Sequence, residues 1–326
     1  MAAMLAISHL TRRFGTLLAV DDVSFAVPEG EVLGFLGPNG AGKSTTMKMI
    51  AGFLAPSAGT AVICGHDILR EPLKAKRQIG YLPEGAPAYP DMTAAEFLRF
   101  IAHIRGFHGA EARRRLAEIA ELINIAHVLD QPIETLSKGY RRRVGVAQAL
   151  LHDPAVLILD EPTDGLDPNQ KHEMRDIIRA MRERKAIIIS THLLEEVEAV
   201  CSRAIIIAQG RILADATPTE LAARSRFHNA VRLAVPAGSA DPAFAGDLAR
   251  LPGVLSVEPA SDGEGEGWWV FPWRARAIAA DVAELVRSRG VAITGMRVER
   301  GRLDDVFRQI TMPQTAAPSE PLRDAA

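Results

Sequence analysis

The sequence predicts an α/β fold over the first two thirds of the chain, followed by a small α+β unit. Three observations lead there. A glycine-rich segment at 37–44 lies between a strand-length apolar run and a helix-periodic stretch. Unbroken apolar runs at 156–159, 186–189 and 204–208 are separated by helical patterns, as in buried parallel strands joined by crossovers. After Arg224 the pattern turns to alternation, the mark of half-buried strands.

From the N-terminus, Val23, Phe25 and Val27 alternate with polar or small residues, and Pro28-Glu29-Gly30 turns the chain into the apolar run 32–36. This reads as strand, turn, strand. After the glycine loop, residues 43–53 form a helix with Met47, Ile50 and Ala51 on one side. From 93 to 151 the character is helical: Phe97, Phe100, Ile101 and Ile104 fall at helical spacing, as do Leu116, Ile119, Ala120 and Ile123. In the second unit Val231, Leu233 and Val235 alternate, Leu255 and Val257 follow, and 268–271 is a further strand joined by a flexible loop at 262–267. Ile278, Val282, Leu285 and Val286 make a helix face, and Ala292, Thr294, Met296 and Val298 a last alternating strand. The order fits a β-α-β-β-α-β plait. A short helix carrying Leu303, Val306, Phe307 and Ile310 precedes a Pro- and Ala-rich tail from Pro313, whose composition predicts disorder. The expected units are 1–224, with a helical part at about 84–151, then 225–312 and the tail 313–326.

The 326 residues are 48% hydrophobic and 24% charged, an ordinary globular composition that excludes a wholly disordered or collagen-like chain. With 38 Lys+Arg against 40 Asp+Glu, a polyanion-coating role is not indicated. Cys64 and Cys201 are too few for a disulfide framework and form no CxxC pair, so a reducing compartment is expected, with each thiol a small buried hydrophobe. No apolar run reaches 18 residues, and the first ten residues lack the basic-then-apolar pattern of a secretory signal. Any membrane role is expected to come through a partner.

Gly37-Pro38-Asn39-Gly40-Ala41-Gly42-Lys43-Ser44 fits the GxxxxGK[ST] pattern in its required context, strand then helix. Glycines let successive backbone N–H groups converge on phosphate oxygens, and the helix N-terminus adds partial positive charge. In such a loop Lys43 reaches the β and γ phosphates and Ser44 holds Mg²⁺. The run Val156-Leu157-Ile158-Leu159-Asp160-Glu161 places two carboxylates at the carboxyl end of a buried strand, the edge where open α/β sheets bind ligands. Asp160 suits Mg²⁺ and Glu161 a general base. Taken alone, the pair reads equally well as a solvated strand end.

A third element, Leu136-Ser137-Lys138-Gly139-Tyr140, comes shortly before that strand, and in this order the three motifs resemble those of the ATP-binding-cassette (ABC) transporter ATPases. The string 136–154 looks like the family signature and its following helix, Gly165-Leu166-Asp167 follows the carboxylates, and His192 ends Ile189-Ser190-Thr191-His192. The resemblance implies a P-loop NTPase (RecA-like) core with an N-terminal antiparallel β part and a helical insert, beside the small ferredoxin-like α+β domain. It implies ATP and Mg²⁺ as cofactors. Nucleotide would be held by Phe14, stacking on adenine, and by Gly37, Pro38, Asn39, Gly40, Ala41, Gly42, Lys43, Ser44 and Thr45. Ser44, Asp160 and Glu84 would serve the metal, and Glu161, His192 and Glu84 catalysis, with His192 on the γ-phosphate. Ser137, Lys138, Gly139 and Tyr140 of one cassette would complete the site of another, with Asp167 joining the two sites, so the active unit is a homodimer or a paired cassette. Outside that resemblance, Ser137 reads as an N-cap and His192 as an ordinary strand-end histidine.

Three positions depart from the family pattern: Glu84 stands where Gln is usual, adding negative charge beside the triphosphate, and Lys138 and Tyr140 replace the commoner Gly and Gln. Glu84 and Leu136-Ser137-Lys138-Gly139-Tyr140, with Gly165-Leu166-Asp167-Pro168 and Leu303-Asp304-Asp305-Val306-Phe307, look like the ATPase subunits of multidrug, polysaccharide and gliding-type exporters. These work with a separate integral membrane permease, which places the chain in the cytoplasm, peripheral on the inner face of the cell membrane. By that analogy residues from 84 to about 100 receive the permease. The rival class is a non-transport ABC ATPase acting on nucleic acid or ribosomes. The basic clusters 113–115 and 141–143 fit it, but also fit a solvated helix face, and no stable nucleic acid is expected. Trp268 and Trp269 read either as a ligand stack or as one core ring and one interface ring. The second domain is expected to regulate or to support the dimer.

Overall fold

The computed structural model describes residues 3–86, 88–260 and 265–311. Two compact units divide after Pro218, a few residues before the boundary expected at 224. In the first unit Ala3–Phe14 (β1), Leu17–Pro28 (β2), Ala58–Ile63 (β4) and His66–Asp67 (β5) build an antiparallel sheet in the order β2-β1-β4-β5. Val32–Leu36 (β3), Ile79–Leu82 (β6), Val156–Asp160 (β7), Ala186–Thr191 (β8), Arg203–Ala208 (β9) and Arg211–Ala216 (β10) form a second sheet, ordered β10-β9-β3-β8-β7-β6. All its pairings are parallel except β9 with β10. Every residue of β3, β6, β7 and β8 is buried, which is why β3, β7 and β8 read as apolar runs.

Helices Lys43–Ile50 (α1), Pro72–Arg77 (α2), Ala94–Ile104 (α3), Gly109–Leu122 (α4), Lys138–Leu150 (α5), Pro168–Met181 (α6) and Leu194–Val200 (α7) connect the strands of this unit. α1 is shorter than the expected 43–53. Ala51 caps it and Gly52 turns left-handed at φ 73°, so Phe53 leaves the helix 74% exposed. α3 starts at a capping box in which the Thr93 hydroxyl accepts from the Glu96 N–H and the Glu96 carboxylate accepts from the Thr93 N–H. Its Phe97 is buried, but Phe100 and Ile104 face outward. Cys201 is buried and its thiol is pushed up to about 12 by burial, whereas Cys64 is only half-buried, short of the full burial expected for it.

Phe53, Leu73, Ile101, Ile104 and Phe107 line an open cleft of about 720 Å³, with the Tyr81 hydroxyl buried unpaired beside it. His152 closes one side. Its Nε2 donates to the Ile79 carbonyl at 2.9 Å, while its Nδ1 is buried without a partner. Burial, and after it the nearby Arg105 guanidinium, bring this imidazole down from 6.5 to about 4. The unfolded chain therefore binds a proton that the fold refuses, so stability falls as pH drops through 6.5 and the loss is complete near 4. Urea unfolding of His152→Gln across that window is expected to lack about 2 kcal/mol of this acid-dependent loss. A variant with the wild-type pH slope would contradict it.

The second unit opens in Pro218–Ala222 (α8). It is built from Val231–Ala234 (β11), Pro242–Ala249 (α9), Val254–Pro259 (β12), Gly267–Pro272 (β13), Ala279–Arg289 (α10), Gly295–Val298 (β14) and Leu303–Thr311 (α11). The element order is β-α-β-β-α-β and the antiparallel sheet runs β12-β13-β11-β14, the split-βαβ plait. Val231, Leu233, Trp268 and Val270 pack with Phe244, Leu248, Ile278 and Val282 of α9 and the α10 region. Trp269 and Phe271 face away, in a second cluster with Phe227, so the adjacent tryptophans serve two layers. β14 is shorter than the alternation expected from 292, and its Val298 is exposed. The tail from Pro313, and residues 261–264 of the loop expected at 262–267, lie outside the described residues.

Candidate active site

Four neighbouring strands end level with one another: Leu36 pairs with Thr191, Asp160 with Ser190, and Leu82 with Leu159. The loops leaving this single edge carry the segment 37–44, Glu84, Glu161 and His192. This is the carboxyl edge at which parallel sheets bind ligands.

The phosphate-loop segment joins β3 to α1. Gly42 caps the helix in a left-handed conformation (φ 104°), no side chain accepts from the first turn, and no acidic residue lies in it. The first amides are thus left for an anion, and the helix dipole favours one. The backbone approach is close: a Cβ on Gly37 would sit 2.3 Å from the Ile207 carbonyl oxygen, and one on Gly42 2.6 Å from that of Ala19. Pro38, Asn39 and Gly40 form the exposed crest, Ala41 is buried behind it, and Ser44 and Thr45 are half-buried on the first turn. Lys43 is 8% exposed and its Nζ donates to the carbonyls of Gly37 (2.6 Å) and Pro38 (3.2 Å). Burial lowers its pKa; Glu161, Asp160 and Glu84 oppose that shift, which places all three carboxylates within electrostatic reach of one ammonium. Phe14, at the end of β1, is exposed, with the Arg12 guanidinium 4.5 Å from its ring centroid.

Asp160 is 1% exposed and its Oδ2 has no hydrogen-bond partner. A buried, unpartnered carboxylate oxygen is costly unless a cation is meant to meet it, and an oxygen donor suits a hard divalent ion. Among the described residues no cluster of three or more His, Cys, Asp or Glu forms a self-sufficient metal site. Any ion here would draw its other oxygens from Ser44, Glu84 and a phosphate. Glu161 holds a left-handed backbone (φ 51°), fixed by its N–H donating to the Ser190 carbonyl at 2.9 Å. That turn brings its Oε1 to 2.9 Å from the Nδ1 of His192. A carboxylate beside an imidazole, next to a phosphate cradle, can take a proton from water.

The Leu136–Tyr140 segment builds a separate surface. Ser137 caps α5, its hydroxyl accepting from the Tyr140 N–H at 3.3 Å. Ser137 and Lys138 are exposed. Gly139 is buried where a Cβ would meet the Gln170 side chain at 2.4 Å, and the Tyr140 hydroxyl lies 3.0 Å from the Nε2 of His127. Asp167 caps α6 in a capping box with Gln170. Among the described residues no hydrogen bond or ion pair joins 136–140 to 37–45, so each surface is unassisted by the other within one chain.

A family model described as ABC transporter matches residues 20–164. The linearmycin resistance ATP-binding protein LnrL of Bacillus subtilis (strain 168) is 37% identical over 233 residues, 71% of this chain and 75% of the relative. This chain belongs to the ABC transporter ATP-binding proteins. The Nod factor export ATP-binding protein I of Ralstonia nicotianae is 38% identical over 67% of this chain and 68% of its own. A solved ATP-binding subunit of an ABC transporter is 32% identical with a TM-score of 0.62, covering 67% of this chain and 91% of that one. The chain is thus an ABC-type ATPase, and the residues that the family model matches lie within its first unit.

Two residues of this cassette escape the sequence motifs. Glu196 is 2% exposed, four residues after His192. One of its oxygens accepts from the Thr191 hydroxyl at 3.2 Å and the other is buried unpaired, and burial raises its pKa. It pins the turn that carries His192. Arg142 is buried beside the Asp160 carbonyl (3.4 Å), the Pro83 carbonyl (3.5 Å) and the Asp164 carboxylate (3.5 Å), tying the chain after β6 and the chain after β7 to α5. The sequence signal for both is a charged residue at an inward helix position.

Proposed function

We propose that this ATPase powers a separate integral membrane permease, in export, by closing two cassettes on ATP and reopening after hydrolysis. The observation that carries the pairing is the split between the two surfaces: a phosphate cradle with its base at one sheet edge, and an exposed Ser137 helix start unconnected to it. A helix N-terminus whose capping hydroxyl keeps its own O–H to donate is an anion site, most effective where charge develops. Ser137, Lys138, Gly139 and Tyr140 of one copy would then face the γ-phosphate held by Lys43 of the other, with Asp167 between the two sites. Mg²⁺ would be held by Ser44 and the unpaired Asp160 oxygen, with Glu84 adjacent; bound there, it neutralises phosphate charge. Glu161 accepts the proton of the attacking water, His192 holds Glu161 in place and reaches the γ-phosphate, and Phe14 stacks on the base.

Export is supported by the functions for which the relatives are named, linearmycin resistance and Nod factor export. Among the described residues no helix is long and apolar enough to cross a membrane. In this reading the permease supplies the path for cargo and holds this subunit on the inner face of the membrane. The apolar cleft between Phe53, Leu73 and Ile104, with Tyr89 edge-on to Phe97 and Phe100 nearby, is the surface for the permease's cytoplasmic helix. The expected segment 84–100 supplies Tyr89, Phe97 and Phe100 but none of the residues that line the cleft; Pro87 lies outside the described residues.

The nucleic-acid reading loses its footing once the chain is folded. Arg142 and Arg143 are buried, and Arg114 and Arg115 pair with Glu118 and Glu111, which leaves one exposed arginine outside those pairs in each cluster, Arg113 and Arg141, rather than a continuous cationic face.

Tyr89→Ala and Leu73→Ala, both at exposed positions, are expected to cut transport in permease-containing vesicles severalfold, with basal ATPase unchanged. Unchanged transport would remove the docking surface from the proposal. Capture of a small membrane protein by the wild-type chain tests the permease itself.

A further inference from the structure

The second unit carries a pocket that the cassette chemistry does not use. It encloses about 350 Å³ between the segment after α8 and the end of β13. Arg224, Arg226, His228 and Arg274 stand around it, Leu255 and Phe271 form an apolar floor, and no carboxylate lines it.

The charges there are uneven in their commitments. Arg226 pairs with Glu258 at 3.2 Å, and His228 donates from Nδ1 to the Arg300 carbonyl at 2.8 Å, leaving its Nε2 open. Arg224 and Arg274 have no carboxylate partner among the described residues. Leu255 is 59% exposed, a large apolar side chain left in water next to those guanidiniums.

The backbone at the rim is strained. Arg274 and Ala275 are consecutive left-handed residues (φ 48° and 56°), and Asn229 opposite them is a third (φ 61°). The Asn229 amide donates to the Ala275 carbonyl at 2.7 Å and holds the turn. Non-glycine residues enter this region at a cost in backbone strain, usually where a side chain must be aimed. Here the turn carries Arg274.

We propose that this pocket binds a phosphate ester attached to an apolar body. Planar guanidinium forks match phosphate oxygens with paired hydrogen bonds. Two uncommitted guanidinium forks offer more donors than a single carboxylate accepts, whereas a phosphate with three free oxygens accepts them all. The Leu255–Phe271 floor then covers the apolar part. The same chemistry describes the headgroup and first methylenes of an anionic phospholipid and a soluble phosphorylated amphiphile.

Trp273, exposed and 5.6 Å from the Arg274 guanidinium, provides the readout, since Trp268 and Trp269 are buried. The full-length protein is titrated with hexyl phosphate, with inorganic phosphate, and with phosphatidylcholine vesicles containing or lacking phosphatidylglycerol. Hexyl phosphate is expected to shift the emission and bind at least about tenfold more tightly than inorganic phosphate, because the chain buries on the floor. Arg224→Gln and Arg274→Gly are each expected to weaken it about tenfold, with ATPase activity unchanged. Glycine at 274 relieves the left-handed backbone as it removes the charge, so lost binding there is not lost folding. Cosedimentation with phosphatidylglycerol vesicles that the double variant abolishes assigns the ligand to lipid; binding of hexyl phosphate without the vesicles assigns it to a soluble ester. If the wild type binds neither, or the double variant binds as well as the wild type, the proposal is wrong.

Discussion

Glu161→Gln is expected to bind Mg-ATP normally, hydrolyse it slower by a factor on the order of 10² to 10⁴, and accumulate as a closed pair of cassettes. The substitution is nearly isosteric and retains an oxygen to accept from His192 Nδ1, now 2.9 Å from Glu161, so the left-handed turn and the imidazole keep their positions. Only proton acceptance is lost. Removing one of the three carboxylates around Lys43 also lessens repulsion toward the triphosphate, which favours the nucleotide-bound pair. Phosphate release measures the first effect, and size-exclusion chromatography with ATP the second. Turnover near the wild-type rate would remove Glu161 as the base, and a single-cassette elution at saturating ATP would remove the paired mechanism.

Lys43→Ala is expected to weaken ATP binding on the order of 10²-fold, measured by equilibrium titration with a fluorescent ATP analogue. The ammonium is buried and bonded to the Gly37 and Pro38 carbonyls, so it shapes the loop as well as supplying charge. Without it the cradle faces a triphosphate beside Asp160, Glu161 and Glu84 with no cationic side chain to offset them. If this variant bound ATP like the wild type, the amide cradle alone would be sufficient, and the role assigned to Lys43 would fall.

The phosphate loop was legible because its chemistry is mostly backbone. Glycines at 37, 40 and 42 are required by close approach and by positive φ, which leaves a residue-level trace whatever packs around them. The parallel strands were legible because burial on both faces admits only apolar residues. Glu196 and Arg142 left no such trace: their significance comes from neighbours that the fold brings in, the Thr191 hydroxyl for one and the Pro83, Asp160 and Asp164 groups for the other. α9 carried little signal, since among its small residues only Phe244 and Leu248 are buried anchors. The end of α1 was overrun because Phe53 continues its apolar pattern, while the chain has already turned at Gly52. The basic pocket was invisible for the simplest reason. Its members come from residues 224–228, 255–256 and 271–275, and only the plait's strand order brings them together.

The level ending of the four central strands has a further consequence. In a β-ribbon, sliding by one position carries each group about 3.3 Å along the chain and turns it to the opposite face. The acid, the base and the imidazole therefore stand where they do only while the Ile, Leu and Val runs behind them hold their alignment. Activity in this subunit is a readout of oily alignment as much as of charged side chains, and a variant that loosens β7 against β8 would be inactive through misplacement even with each reactive group still present.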